Sequence, residues 1–123
     1  MGLDMCACKT RLRIPKVDFK VRSPEIIHTW RKHPAMHYWM ENLYWANGGR
    51  AAWFNCANLR LTLYDLDRLA WDIASGNLPK TEPDPDFFAR PSTGCEWAND
   101  MQFVITARHA ISEGYRVFYQ SWW

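Results

Sequence analysis

The hydrophobic period of this chain changes along its length, and that change restricts the folds open to it. Apolar residues recur at every second position near both ends and at helical spacing in between. From Leu3 to Thr10, the residues Leu3, Met5 and Ala7 fall on one face and Asp4, Cys6 and Cys8 on the other, as in a strand. Tyr115 to Trp123 alternates in the same way and predicts a terminal strand. Thr62-Leu63-Tyr64-Asp65 is a capping signature. Leu66, Leu69, Ala70 and Ile73 follow it at i, i+3, i+4, i+7, and Gly76 stops the helix. Glu96 to Glu113 predicts another helix, with Trp97, Met101, Val104, Ile105 and Ile111 toward the core and Gly114 as its stop.

The remaining segments are read from their punctuation. Ser23-Pro24-Glu25 has the chemistry of a helix start, a capping hydroxyl, a proline with φ already set and an acid at the positive end. Ile26, Ile27 and Trp30 would be the buried stripe of that helix. Pro34 restricts His33, so a second helix is expected to begin there and run through Met36, Met40, Leu43 and Tyr44 to Asn47-Gly48-Gly49. Arg11 to Arg22 is basic, broken by Pro15, and reads as irregular chain around a short Val17–Val21 strand. Ala51 to Leu61 reads as one strand with a break near Asn58. Residues 77–94 hold four prolines and form a long loop carrying Phe87 and Phe88. These elements predict one globular domain over residues 1–123. Its fold class is α+β, a small, mainly antiparallel sheet of three to four strands with about three helices on one face.

Composition narrows the function classes. The 123 residues are 48% hydrophobic and 23% charged, the balance of a globular domain. The formal charge of +2 is too balanced for a DNA mimic and too weak for a dedicated nucleic-acid binder. A gradient lies beneath it, because residues 1–32 carry eight basic and three acidic side chains whereas residues 65–100 carry eight acidic and three basic ones. No apolar run is long enough for a membrane span and no signal peptide opens the chain, so a cytoplasmic protein is expected.

Motifs for catalysis are sparse. Cys6, Cys8, Cys56 and Cys95 do not have zinc spacing and are expected to be reduced and packed. His33 and His37 are spaced for a shared metal, but Pro34 stands where a zinc peptidase has its glutamate. Histidines satisfied by carbonyls or carboxylates are therefore expected, and neither a metal nor a cofactor. Cys56 with His37 is the one thiol–imidazole pair considered for catalysis, and no phosphate loop or serine-hydrolase motif is present. Trp30-Arg31-Lys32 interleaves an aromatic with bases, as single-strand binders do, although the net charge argues against that role.

Eight tryptophans, five tyrosines and six phenylalanines exceed what one small core needs. Tryptophan, tyrosine and arginine dominate interface hot spots, so the surplus points to a protein-binding surface. The candidates are Trp30, Arg31, Lys32, His37, Trp45, Trp53, Phe87, Phe88, Trp122 and Trp123. Trp122, Trp123 and the Phe87-Phe88 loop come first among them.

Several stretches together resemble a family of small phage and prophage proteins. They are Met1-Gly2-Leu3-Asp4-Met5, Trp30-Arg31-Lys32-His33-Pro34 running on through His37 to Trp39-Met40-Glu41, Phe54-Asn55-Cys56, Leu78-Pro79 followed by Phe87-Phe88, and Tyr119-Gln120-Ser121-Trp122. Some members carry the label phosphoglycerate kinase-like, but this chain has neither the length nor the phosphate loop for a two-lobed kinase. Relatives tend to have Gly-Phe-Phe-Phe-Gly where this chain has Asp86-Phe87-Phe88-Ala89-Arg90. The resemblance implies an origin rather than a reaction. The expectation is an accessory protein that binds and inhibits a host protein, such as a defence component in the manner of an anti-CRISPR. The alternative is a small enzyme or nucleotide-binding protein using His37, Cys56 and the basic N-terminal arm. A homodimer is compatible with either.

Overall fold

The computed structural model describes residues 3–31, 33–79 and 94–122. Four strands, β1 (Asp4–Thr10), β2 (Glu25–Arg31), β3 (Leu59–Leu61) and β4 (Arg116–Trp122), form one sheet in the order β2-β1-β4-β3. Every neighbouring pair is antiparallel. Three helices, α1 (Pro34–Ala46), α2 (Leu63–Ser75) and α3 (Gly94–Ser112), complete the described chain. This is the expected α+β architecture.

The two parities of β1 lead into two different environments. Leu3, Met5 and Ala7 join Val117 and Tyr119 of β4 and the apolar faces of all three helices in the main core. Cys6 and Cys8 face the other way, where Phe118, Ile14, Phe19 and Val21 enclose them. The helices therefore cover one face of the sheet, and the irregular 11–22 segment covers part of the other. Only a single bridge, Val17 to Leu59, remains of the short strand expected in that segment.

The largest departure is β2, where the sequence predicts a helix. Ser23 has φ of +52° and cannot act as an N-cap in the usual extended geometry. Ile26, Ile27 and Thr29 are β-branched, and every residue of the strand but Ile27 has a partner residue on β1. The register shifts between Ala7 and Cys8, which lets Ile27 pack on the main core while Ile26 turns out. Trp30 still reaches the core, but from a strand. The expected long strand over Ala51–Leu61 contracts to Leu59–Leu61, because Cys56 is in the left-handed region and breaks the extended run.

Capping fixes α2 as expected. Asp65 N–H donates to Thr62 Oγ1 at 3.2 Å and Thr62 N–H donates to Asp65 Oδ2 at 3.0 Å, which closes the box. Gly76, at φ of +70°, closes the other end. In α3 the buried side chains are Asp100, Phe103, Val104, Ala107 and Ala110, whereas Trp97 and Ile105 are exposed. The expected stripe holds at Val104, Met101 and Ile111, which pack in or against the core, and departs at Trp97 and Ile105, as Asp100 turns inward to meet Trp30 and His33.

Candidate functional site

Three of the histidines pack in or against the core. Trp30 Nε1–H donates to Asp100 Oδ1 at 3.0 Å, and His33 Nε2 lies 2.8 Å from Asp100 Oδ2. His37 turns elsewhere, with Nδ1 2.9 Å from the Tyr119 hydroxyl and its ring 5.1 Å from that of Phe54. The i, i+4 pair therefore serves two different partners. No group of three metal-ligating side chains occurs among the described residues. Burial pushes the His37 imidazole down to about 4 and the Tyr119 hydroxyl well above its ordinary range. The His28 ring lies tilted against that of Trp30, 4.5 Å between centroids, and burial lowers its pKa as well, against the opposing charge of Asp100.

The thiols divide in the same way. Cys6 and Cys8 are buried with their sulfurs 3.8 Å apart, and Gln120 Nε2–H donates to Cys6 at 3.5 Å. Their shared hydrogen bond draws Cys6 down to about 7 and pushes Cys8 up. Cys56 is exposed and lines a cleft together with Asp18, Lys20, Asn55, Asn58 and Gln120. His37 does not line that cleft, so the Cys56–His37 pairing does not form a shared pocket among the described residues.

The interface candidates separate into core and surface. Trp30 is 6% exposed and His37 2%, because both are built into the hydrogen-bonded interior. Arg31 is exposed, with Nε 3.6 Å from Asp4 Oδ1. Trp45 lies near the end of α1 edge-on to Tyr44, and Trp122 lies on β4 opposite Asp4. Both are partly open to solvent, and Trp53, on the irregular stretch before β3, is 77% exposed. Lys32, Phe87, Phe88 and Trp123 fall outside the described residues.

A second set of exposed aromatics escaped the sequence reading. Tyr64 and Trp71 of α2 are 70% and 71% exposed, and Leu63 of α2 and Trp97 and Ile105 of α3 are also open. At 100° per residue, Leu63, Tyr64, Asp67 and Trp71 fall within about 100° of one another on α2. By the same geometry Trp97, Met101, Ile105 and Arg108 span about 80° on α3. The Arg108–Asp67 ion pair joins these two arcs, so the apolar side chains flank one helix–helix seam. Arg68 lies 5.8 Å from the Tyr64 ring, and a shallow groove of about 450 Å³ lies among Tyr64, Asp67, Arg68, Trp71 and Asp72. The missed signal was the helical spacing Tyr64-Arg68-Trp71, which places aromatics on the face opposite Leu66, Leu69 and Ile73.

No protein-family model, curated protein or solved structure matches this chain. No helix among the described residues is long and apolar enough to cross a membrane.

Proposed function

We propose that this chain is a phage accessory protein that binds and inhibits a host protein, with a host-defence component such as a CRISPR effector as the target class. The observation that carries the reading is the α2/α3 seam, where Leu63, Tyr64, Trp71, Trp97 and Ile105 are all exposed. Contiguous apolar surface on a small domain marks an interaction site, and tryptophan, tyrosine and arginine supply most of the energy of such interfaces. The seam holds all three types, with Arg68 and Arg108 set among the aromatics. The phage-like motifs supply the setting.

The target would dock on the helical layer, leaving the opposite face of the sheet free. The test is phage plating on a bacterial host with active CRISPR interference. Expression of the chain restores plaques and recovers an effector subunit in stoichiometric amount, whereas a folded Trp71→Asp variant does neither. Unchanged interference with the wild-type chain present at high level, together with no recovered effector, overturns the proposal.

A further inference from the structure

The fold sorts the charge of the chain between its two layers. On the helical layer, α2 carries three acidic side chains and one basic one. Residues 11–22 carry the reverse, five basic and one acidic. Ile14, Phe19 and Val21 lay that segment over Cys6, Cys8 and Phe118, on the face of the sheet away from the helices. Arg11, Arg13, Lys16, Lys20 and Arg22 are all exposed, and none of them makes an ion pair among the described residues. The one acid, Asp18, accepts from the Tyr44 hydroxyl and from Arg50 N–H, so its charge is engaged inside the fold. A net charge of +2 argues against an anionic polymer only where the charges are mixed. Here an unneutralised run of cations lies along one face.

Beside that run, part of the sheet face is open among the described residues. Gln120 and Trp122 alternate onto it from β4 in step with Phe118. Thr29 and Arg31 of β2 join them, because they sit opposite Cys6 and Asp4 in the register, and both are exposed. Trp122 is 44% exposed. A cleft of about 720 Å³, lined by Gln120, Phe19, Lys20 and Asn55 among others, opens between the 18–21 stretch and the 51–58 segment and links the sheet face to the cations. Cations that track a backbone next to aromatic rings that bases can stack on are the two parts of a single-strand binding platform. We infer that this face binds single-stranded nucleic acid, its phosphates along Arg13, Lys16, Lys20 and Arg22 and its bases on Trp122 and in the cleft at Phe19. An acidic protein would meet the cations but give the open indole no ring to stack on. A duplex keeps its bases stacked on each other and offers none either. This inference is independent of the α2/α3 seam, which lies on the other layer.

The test is fluorescence anisotropy of a labelled oligothymidylate at about 50 and about 200 mM salt. The full chain binds it, and the rise in salt weakens binding about 50-fold, as roughly four phosphate contacts on a single strand dictate. Lys20→Ala combined with Arg22→Ala, two exposed changes, cuts that salt effect to about sevenfold. Trp122→Ala weakens binding by about fivefold or more with the salt effect unchanged, and Trp122→Phe, which keeps a ring, restores most of it. Trp71→Ala, on the helical layer, binds as the unaltered chain does. No binding at the lower salt, an unchanged salt effect in the Lys20/Arg22 variant, or full affinity in Trp122→Ala overturns the inference. So does tighter binding of a duplex, or polyglutamate bound as tightly as the oligothymidylate, the latter making the face a dock for acidic protein.

Discussion

Trp30 and Asp100 are joined across 70 positions by a buried hydrogen bond from the indole N–H to Oδ1, and Asp100 Oδ2 holds His33. One carboxylate thus ties the edge strand β2, the entry to α1 and the middle of α3. Asp100→Ala leaves the indole N–H and the imidazole without this acceptor in the interior. The expected loss is about 3 kcal/mol of unfolding free energy, read from urea denaturation. Asp100→Asn keeps one acceptor and is expected to lose less.

Acid should weaken the protein through His37. Its folded value of about 4 lies below the ordinary 6.5, so the unfolded chain binds the extra proton first. Stability from this group is complete above about pH 6.5 and is lost as the pH falls toward 4, about 3 kcal/mol over the whole window. The lowered His28 acts in the same direction. Denaturation midpoints at pH 7.5, 5.5 and 4.5 should fall in that order. His37→Phe, which retains a ring beside Phe54, should flatten the slope.

Gly49 and Gly48 are adjacent but constrained differently. A Cβ at Gly49 would clash with the Tyr44 ring, whereas at Gly48 it meets nothing and only the φ of +89° opposes it. The Tyr44 hydroxyl donates to Asp18 and accepts from Ala51 N–H, so displacing the ring also breaks the 18–51 wall. Gly49→Ala is expected to cost about 2 kcal/mol or more and Gly48→Ala about 1 kcal/mol. Thermal melts of the two variants should rank accordingly.

Elements with both a local period and a local stop were legible in the sequence. The Thr62 box and Gly76 delimit α2, and Pro34 with Asn47 delimits α1, because those signals act within a few residues of their own position. β2 was not legible, since Ser23-Pro24-Glu25 has helix-start chemistry and only the distant β1 backbone makes the strand preferable. The face of α3 was legible at Met101, Val104 and Ile111 but not at Trp97, Ile105 and Asp100, for the same reason. Asp100, a charged residue that local pattern assigns to solvent, faces inward because Trp30 and His33 wait for it there. Surface aromatics are the hardest to read, because Trp39 and Trp71 both sit on helices. Their stripes separate them, because Trp39 packs in the core with Met36 and Met40 and gives its indole N–H to Asp72 at 2.8 Å, whereas Trp71 lies opposite Leu66, Leu69 and Ile73.

The α2/α3 seam carries the sharpest mutational test of partner binding. Trp71 and Trp97 are largely in solvent, so truncating either removes little folded-state packing and should shift unfolding free energy by no more than about 0.5 kcal/mol. If the seam is the interface core, the same changes act on affinity instead. Trp71→Ala should weaken partner binding by about 2 kcal/mol, roughly 30-fold, and Trp97→Ala by a comparable amount. Trp53→Ala, equally exposed but away from the seam, should leave affinity unchanged. Calorimetric titration of the three variants against the recovered partner separates a seam-centred interface from one centred on Trp53. Loss of affinity in Trp53→Ala alone would move the binding surface to the segment before β3.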